Sequence, residues 1–204
     1  LTSVRQYLPA EKQECKTVDD LFFPSRDMIS LLLARIYVEQ NKYAEAKSIL
    51  NEIVNSDRYK LGDLIYHLPN PNGSGTRATQ TIEPLGEICF SYVEAMLMLA
   101  ECESHLGNPA QAEEYLNKVV IANVGTPAYP SGDTEIDTRA SNEFINRLAD
   151  TWKIQLKGTG TYFAFMKRNG IAEERLNVPT WRLLFPIPMD EINTSPVIMQ
   201  NPGY

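Results

Sequence analysis

An internal repeat dominates this sequence: LLLARIYVEQNKYAEAKSILNEIV, residues 31–54, aligns without a gap on LMLAECESHLGNPAQAEEYLNKVV, residues 97–120. In each copy, apolar residues recur at steps of three and four on both sides of a short polar break. That spacing gives a helix one apolar face, so each copy is predicted to form two helices joined by a tight turn. The positions identical in both copies are Leu31, Leu33, Ala34, Ala44, Ala46, Leu50, Asn51 and Val54, matched by Leu97, Leu99, Ala100, Ala110, Ala112, Leu116, Asn117 and Val120.

The polar break of the second copy has a clear capping pattern. Gly107 is predicted to lie just past the end of the first helix, Asn108 to cap the second helix, and Pro109 to occupy its first position. In the first copy, the corresponding break is Asn41-Lys42.

Small residues stand at matched places in both copies. Ala34 and Ala46 are predicted to lie on facing helices of an antiparallel pair, where the missing side chains let the backbones approach, and Ala100 and Ala112 do the same in the second copy. This spacing, together with Tyr37, resembles the tetratricopeptide repeat. Two units are few for an independent solenoid, so we expect them to belong to a larger helical body or to be closed off by the rest of the chain.

The remaining segments complete an all-α prediction. The two copies predict helix pairs over residues 26–56 and 88–122, and the pattern that follows predicts a helix over 141–154 and a shorter one over 161–168. Four prolines then exclude a regular helix through most of residues 183–204, the C-terminal strap. The predicted fold is therefore all-α, with tetratricopeptide-like helix pairs, long loops and an irregular strap.

Composition argues against several classes of function. A net charge of −7 over 204 residues, without any basic run, argues against a nucleic-acid-binding surface. The apolar stretches are far shorter than the roughly 20 residues of a membrane-spanning helix. Cys15, Cys89 and Cys102 have no metal-type spacing, and Cys102 is predicted to be a buried helix residue rather than part of a disulfide framework.

Signatures of catalysis are scarce. The sequence has no GxSxG, no HExxH and no phosphate-binding glycine loop, and Gly158-Thr159-Gly160 is a lone GxG without a preceding strand pattern. Glu94 and Glu101 lie seven residues apart on one helical face, which more commonly indicates solvated or hydrogen-bonded structural groups than a catalytic pair. We therefore expect neither an enzyme nor a cofactor.

Four blocks, in order, resemble the carboxyl-terminal half of the SusD/RagB family. They are LLLARIYVEQNKYAEA (31–46), SYVEAMLMLAECESHLGNPAQAEEYLNKV (91–119), LKGTGTYFAFMKRNGI (156–171) and LLFPIPMDEINTSPVIMQNPGY (183–204). The last block is the most specific, and the resemblance covers about residues 26–204. One departure is Ser91, which stands where the family usually has arginine.

The resemblance implies a function and a location. It implies a glycan- or peptide-binding component of an outer-membrane nutrient-uptake system, partnered by a TonB-dependent transporter. It also implies a surface-exposed lipoprotein of the cell outer membrane, held by a lipid anchor in the full-length protein. Because the family's first helical half and lipidated cysteine are not in this sequence, we expect the chain to be the carboxyl-terminal part, as a single domain over 1–204.

Two readings from other classes stay open beside that one. The helix pairs alone suit a tetratricopeptide-type scaffold that binds a protein segment in its helical groove. A hydrolase is the least favoured.

The apolar content of the C-terminal strap predicts that it packs against something. Phe185, Ile187 and Met189 alternate with prolines on a chain expected to be extended, which suits burial of one side. The family resemblance implies that the strap is laid over the helical body, where it acts as a fold signature rather than a binding site.

The ligand is expected to bind the long connecting segments. Segments 57–87 and 123–139 are much longer than usual loops, a feature more often seen where loops have a task or are disordered. Tyrosine suits sugar stacking because it is flat, has few torsions and keeps a polar tip. We therefore predict Tyr66 and Tyr129 as ligand-facing, with Asn72 and Arg77 as polar partners; for Trp181, beside the strap, local packing is the favoured interpretation.

Overall fold

Both copies of the repeat form helix pairs, as predicted. The structure of the chain is a computed structural model that describes residues 2–10, 24–68, 88–124, 138–195 and 197–204. In chain order, its elements are α1 (Thr2–Arg5), α2 (Arg26–Glu39), α3 (Tyr43–Val54), β1 (Leu64–Leu68), β2 (Ile88–Ser91), α4 (Tyr92–His105), α5 (Pro109–Val124), α6 (Thr138–Gln155), α7 (Thr161–Arg168), α8 (Ala172–Leu176), a 3₁₀ turn (Thr180–Leu183) and α9 (Met189–Thr194). The all-α prediction is confirmed, and the helices predicted over 141–154 and 161–168 are α6 and α7.

The two tight turns inside the helix pairs share one backbone geometry. Asn41 has a φ of 57° and Gly107 a φ of 78°, so both adopt the left-handed conformation just past a helix end. In each turn, the next residue donates its amide to the carbonyl five positions earlier, at 2.8 Å in the first copy and 2.9 Å in the second. This is the six-to-one bond of the Schellman motif, which satisfies a carbonyl at the end of a helix.

Serines cap the first helix of each pair. The Ser25 hydroxyl accepts a bond from the amide of Met28 at 3.1 Å, and the Ser91 hydroxyl accepts one from the amide of Glu94 at 3.2 Å. Both bonds satisfy amides of a first helical turn that have no partner within the helix. Ser25 and Ser91 are also 66 residues apart, the offset of the repeat, so the repeat begins earlier than the aligned stretch suggests.

Helix α4 is the central element of the helical core. It packs against α3, α5 and α6, and nearly all of its residues are buried, including the run from Ala95 to Cys102. A helix that is apolar on all sides needs neighbours on all sides, which explains the uninterrupted apolar stretch AMLMLA. The matched alanines are fully buried where α2 packs on α3 and α4 on α5; they are Ala34, Ala46, Ala100 and Ala112.

A short strand pair precedes α4 and corrects one predicted boundary. β1 and β2 pair antiparallel, with Leu64 opposite Ser91 and Leu68 opposite Ile88. The prediction that the second helix pair begins at residue 88 was wrong, because residues 88–91 form β2 and the helix starts only after the Ser91 cap. β1 likewise occupies part of the segment predicted as a loop over 57–87.

The chain divides into two compact units, Leu1–Gly160 and Thr161–Tyr204. The first, here called the helical unit, contains α1 to α6 and the strand pair. The second, the C-terminal unit, contains α7 to α9 and the C-terminal strap. The single domain over 1–204 stays a prediction.

The last residues of the chain tie the C-terminal strap to itself through side chains. Prolines cannot donate backbone hydrogen bonds, so the strap cannot build a regular ladder of its own. Polar side chains of the closing QNPGY motif bond to the backbone of residues 184–187 instead. The Gln200 amide pairs with Ile187 N at 2.8 Å and Ile187 O at 2.9 Å, Asn201 Nδ2 donates to Phe185 O at 2.6 Å, and Tyr204 Oη donates to Leu184 O at 3.0 Å.

Trp181 is held in place by the same motif. Gly203 has a φ of 92°, and a Cβ atom at this position would lie 2.6 Å from two indole carbons of Trp181. The Tyr204 ring meets the indole edge-on, with centroids 5.2 Å apart and an angle of 84°. The glycine is therefore required both by its backbone conformation and by the close approach of the indole.

The predicted burial of the C-terminal strap was wrong for two of its three residues. Phe185 is 74% exposed and Met189 is 63% exposed, while Ile187 is half-buried. The expectation assumed a uniformly extended chain with one side facing inward. The strap instead contains α9 and is fixed by polar side chains on its backbone, which leaves these apolar side chains pointing outward.

Cys102 is buried in α4, as predicted. Cys15 lies outside the described residues, as does the side chain of Cys89. In the part of the chain that the structure describes, no helix is both long enough and apolar enough to cross a membrane.

Candidate functional site

Most of the predicted ligand residues lie where the structure gives no side-chain description. Asn72, Arg77 and Tyr129 are outside the described residues. The backbone of Tyr66 lies in β1, opposite Phe90 of β2, and its side chain is not described. These four assignments therefore stay predictions.

A cleft of about 440 Å³ opens in the helical unit. It is here called the tyrosine cleft, and its lining residues are Tyr59, Lys60, Leu61, Tyr92, Met96, Lys118, Ile121 and Ala122. Three elements meet at it: the segment that follows α3, the first turns of α4 and the last turns of α5. Sequence reasoning missed it, although Tyr59 falls inside the segment 57–87 that was predicted to carry the ligand site.

Two tyrosines give this cleft its aromatic character. The rings of Tyr59 and Tyr92 lie 6.3 Å apart and are tilted by 31°. The Tyr92 hydroxyl donates to the Val54 carbonyl at 3.4 Å, and burial raises the pKa of this phenol above its ordinary value. Tyr92 is therefore uncharged at neutral pH, and it contributes an aromatic ring rather than a charge to the cleft.

Charged side chains lie at the rim of the tyrosine cleft. Lys118 is half-exposed and pairs with Glu114 at 2.7 Å across one turn of α5, and its ammonium also lies 5.4 Å from the centroid of the Tyr115 ring. Lys60 is exposed on the opposite segment. The bond from Lys118 lowers the pKa of Glu114, so this carboxyl group is charged at neutral pH. An apolar aromatic floor with polar groups at its edge is the usual composition of a small-ligand site.

A second cleft, of about 510 Å³, lies wholly within the C-terminal unit. It is here called the tryptophan cleft and is lined by Lys167, Gly170, Ala172, Glu173, Thr180, Trp181, Leu183, Leu184 and Pro202. The Thr180 hydroxyl donates to the Glu173 carboxylate. The favoured interpretation of Trp181, local packing, is correct for its contacts with Gly203 and Tyr204 but leaves part of the indole on the cleft wall.

The two carboxylates that were considered as a catalytic pair, Glu94 and Glu101, are buried in the helical unit. Glu94 is buried and accepts two bonds from the Arg35 guanidinium, at 2.6 and 2.7 Å, and that guanidinium also lies 4.1 Å from the Phe90 ring centroid. Glu101 is fully buried as well. A bidentate ion pair between α2 and α4 holds two helices together, and it confirms the structural interpretation of Glu94.

Two further buried carboxylates are paired in the same way. Lys47 of α3 bonds to Glu103 of α4 at 2.9 Å. Asp27 accepts two bonds from Arg58, at 2.9 and 3.0 Å. Burial opposes the charge of this guanidinium, but the hydrogen bonds and charge of Asp27 outweigh it and raise the pKa of Arg58. Within the described residues, no group of three or more metal-ligating side chains is assembled.

Comparisons with known proteins identify both a protein family and a helical repeat in this chain. Residues 64–180 match the model of the SusD family, and residues 30–57 match that of a tetratricopeptide repeat. Among solved structures, the chain is similar to a SusD superfamily protein from Bacteroides thetaiotaomicron, at 16% sequence identity and a TM-score of 0.66. The alignment covers 98% of this chain and 64% of that one, so the chain spans less than two thirds of the solved protein. A search of curated proteins finds no match.

Proposed function

The chain belongs to the SusD family, and from that premise we propose that it is a ligand-binding component of an outer-membrane nutrient-uptake system. Its ligand is an oligosaccharide or a peptide, and its partner is a TonB-dependent transporter. The protein acts as a surface-exposed lipoprotein held by a lipid anchor, and its role is capture rather than catalysis.

The tyrosine cleft is the observation that carries this proposal. Tyr59, Lys60 and Leu61 belong to the first predicted ligand segment, 57–87, while Ile121 and Ala122 stand directly before the second, 123–139. The cleft therefore joins the roots of both segments, although they are far apart along the chain. This supports a ligand site that both segments share, with Tyr66, Tyr129, Asn72 and Arg77 as its proposed contacts.

Binding measurements on single variants test the proposed site. Oligosaccharides and peptides are titrated by calorimetry into the wild-type chain and into Tyr59→Ala, Tyr66→Ala and Tyr129→Ala. Loss of one stacked ring should weaken binding of a responding ligand by about tenfold, because an aromatic contact contributes on the order of 1 kcal/mol.

Tyr43→Ala is the matched control. Tyr43 begins α3 at the opposite end of the helix pair, where its ring stacks on His105 with centroids 4.1 Å apart. It should lose some stability but no affinity. Unchanged affinity in all three test variants, with the fold intact by circular dichroism, would move the ligand site away from these segments.

A tetratricopeptide-type scaffold is the second candidate function, favoured by the match of residues 30–57 to that repeat. It would bind a protein segment in the groove of its helices and would not handle nutrients. Co-purification discriminates the two: capture of a TonB-dependent transporter from solubilised membranes supports the first proposal, and a soluble protein partner in its place supports the second.

A further inference from the structure

We propose that the tryptophan cleft is a second binding site, which takes one uncharged sugar ring. The inference rests on the proposed function in one respect, because it assumes that oligosaccharides are among the ligands. It specifies the location of a second site, the chemical class of its ligand and a preference for neutral over anionic sugars.

The size and walls of the tryptophan cleft suit a sugar ring. At about 510 Å³, it falls within the usual range of small-ligand pockets. Its walls combine the Trp181 indole with Leu183, Leu184 and Pro202, which are apolar surfaces that can take the C–H face of a pyranose. Gly203 and Tyr204 hold the indole from behind, so the ring needs little further ordering when a ligand binds.

The polar groups of the cleft provide both a donor and an acceptor. Lys167 contributes an ammonium, and among the described residues it has no carboxylate partner. Glu173 contributes a carboxylate, and Thr180 a hydroxyl that already donates to that carboxylate. A sugar hydroxyl donates and accepts at once, so neighbouring hydroxyls can give a bond to Glu173 and take one from Lys167.

The charges favour a neutral ring over an anionic one. The cleft wall carries one ammonium and one carboxylate, which compensate each other. Residues 161–204 contain four basic and four acidic side chains, so the net charge of −7 belongs entirely to residues 1–160. An anionic sugar would therefore find no surplus of positive charge in the cleft, and the Glu173 carboxylate would repel it.

The Trp181 indole already takes a cation on one of its faces. The Arg182 guanidinium lies 5.1 Å from the centroid of the Trp181 ring, and the Arg182 side chain is exposed. A cation on an aromatic face shows that this face attracts positively polarised groups. The C–H bonds of a sugar are polarised in the same sense, so the indole can also take the C–H face of a sugar ring.

Tryptophan fluorescence on the whole chain tests the site directly. The chain has two tryptophans; Trp152 is 1% exposed, so a ligand-dependent change in emission reports Trp181. The probes are maltose, cellobiose, xylobiose and mannobiose as neutral sugars, glucuronate as the anion and glucosamine as the cation. We expect a saturable change with at least one neutral disaccharide and weaker binding of glucuronate; glucosamine, which has the opposite charge, controls for the sign of the effect.

Glu173→Gln and Glu174→Gln form the matched pair of variants. Both residues are exposed neighbours on α8, but only Glu173 lines the cleft. Glu173→Gln should weaken the neutral sugar about tenfold, as expected for loss of one charged hydrogen bond, and should raise the relative affinity for glucuronate. Glu174→Gln should behave as the wild type.

The outcomes separate this inference from the proposed function. If calorimetry shows sugar binding that neither changes emission nor responds to Glu173→Gln, the tryptophan cleft is not a site, while the proposed function stands. If only peptides bind, the sugar assignment fails and the proposed function again stands. If neither class of ligand binds, both fail; tighter binding of glucuronate than of every neutral sugar overturns the charge argument.

Discussion

The helical unit and the C-terminal unit are each stabilised from within, but by different kinds of interaction. In the helical unit, apolar side chains are buried between helices, and three carboxylates that enter this core are paired with arginine or lysine: Asp27, Glu94 and Glu103. In the C-terminal unit, the polar side chains of Gln200, Asn201 and Tyr204 bond to backbone groups. In the C-terminal strap, apolar residues such as Phe185 stay exposed.

The difference follows from where the backbone finds its hydrogen bonds. A helix satisfies its own amides and carbonyls, so its side chains are free to build a core. A proline-rich segment cannot, and polar side chains must take the place of the missing backbone partners. Substitutions in the helical unit should therefore act through packing and buried charge, and those in the C-terminal unit through single hydrogen bonds and close contacts.

The largest effect is expected from Arg35→Ala in the helical unit. It leaves Glu94 buried without its counter-charge, which typically costs about 3–5 kcal/mol; because the Arg35 side chain is 26% exposed, we expect the lower end. Urea denaturation followed by far-UV circular dichroism measures the change. The double variant Arg35→Ala with Glu94→Leu should recover most of the loss, and a single variant within 1 kcal/mol of wild type would contradict a core that depends on paired charge.

Overpacking between the helices comes next. Ala46→Leu and Ala112→Leu each introduce a large side chain at a fully buried position and should each cost about 1–3 kcal/mol in the free energy of unfolding. Ala44→Leu is the control, because Ala44 is exposed on the same helix as Ala46 and its replacement should be nearly neutral. If neither substitution at a buried alanine changes the free energy of unfolding, these alanines do not lie between facing helices.

A smaller effect is expected from Gly203→Ala in the C-terminal unit. The new Cβ would meet the Trp181 ring at 2.6 Å from a backbone with φ of 92°, which should cost about 1–2 kcal/mol in that unit. Acrylamide quenching of Trp181 fluorescence should increase. Gly62→Ala separates the two causes, because Gly62 has a φ of 102° but nothing within 4 Å of its Cβ position. Equal losses at both sites would leave no role for the indole contact.

The smallest effect is expected from Gln200→Ala. It removes two bonds to the backbone of Ile187 and should cost about 1 kcal/mol, because water can replace part of what is lost at this half-buried site. Amide hydrogen exchange at Ile187 should accelerate while exchange in α4 stays unchanged. Gln200→Glu keeps the acceptor for the Ile187 amide but loses the donor to the Ile187 carbonyl, so it should give an intermediate exchange rate. Unchanged exchange in both variants would show that the hydrogen bonds of the Gln200 side chain do not hold the C-terminal strap.

Sequence reasoning was most successful where the determining interactions are local. Helix periodicity, the glycine at 107 and the proline at 109 involve residues within a turn or two of each other, and the predicted helix pairs follow from them. It failed at the start of the second pair, because residues 88–91 pair with β1, which lies twenty or more positions earlier in the chain. It failed again for Phe185 and Met189, whose exposure depends on how the strap folds on itself.

For the candidate sites, too, local features could be predicted from the sequence and contacts between distant residues could not. Tyr59 and Tyr92 line one cleft only because the ends of α3, α4 and α5 pack together. The spacing of residues along the chain does not predict that contact. The ligand segments 57–87 and 123–139 were predicted from length and composition, whereas the cleft at their roots required the packed helices.

By itself, the sequence determined two capped helix pairs, their small buried residues and the membership of a family whose closing motif is QNPGY, because these depend on short-range periodicity and on residue identity. Tertiary structure alone decided which charges meet. Lys47 and its repeat equivalent Glu113 both bond to the following helix, but with opposite signs, to Glu103 and to Arg147 respectively. Such pairs form across helices that only packing brings within reach, so each copy of the repeat could satisfy the same contact with either sign.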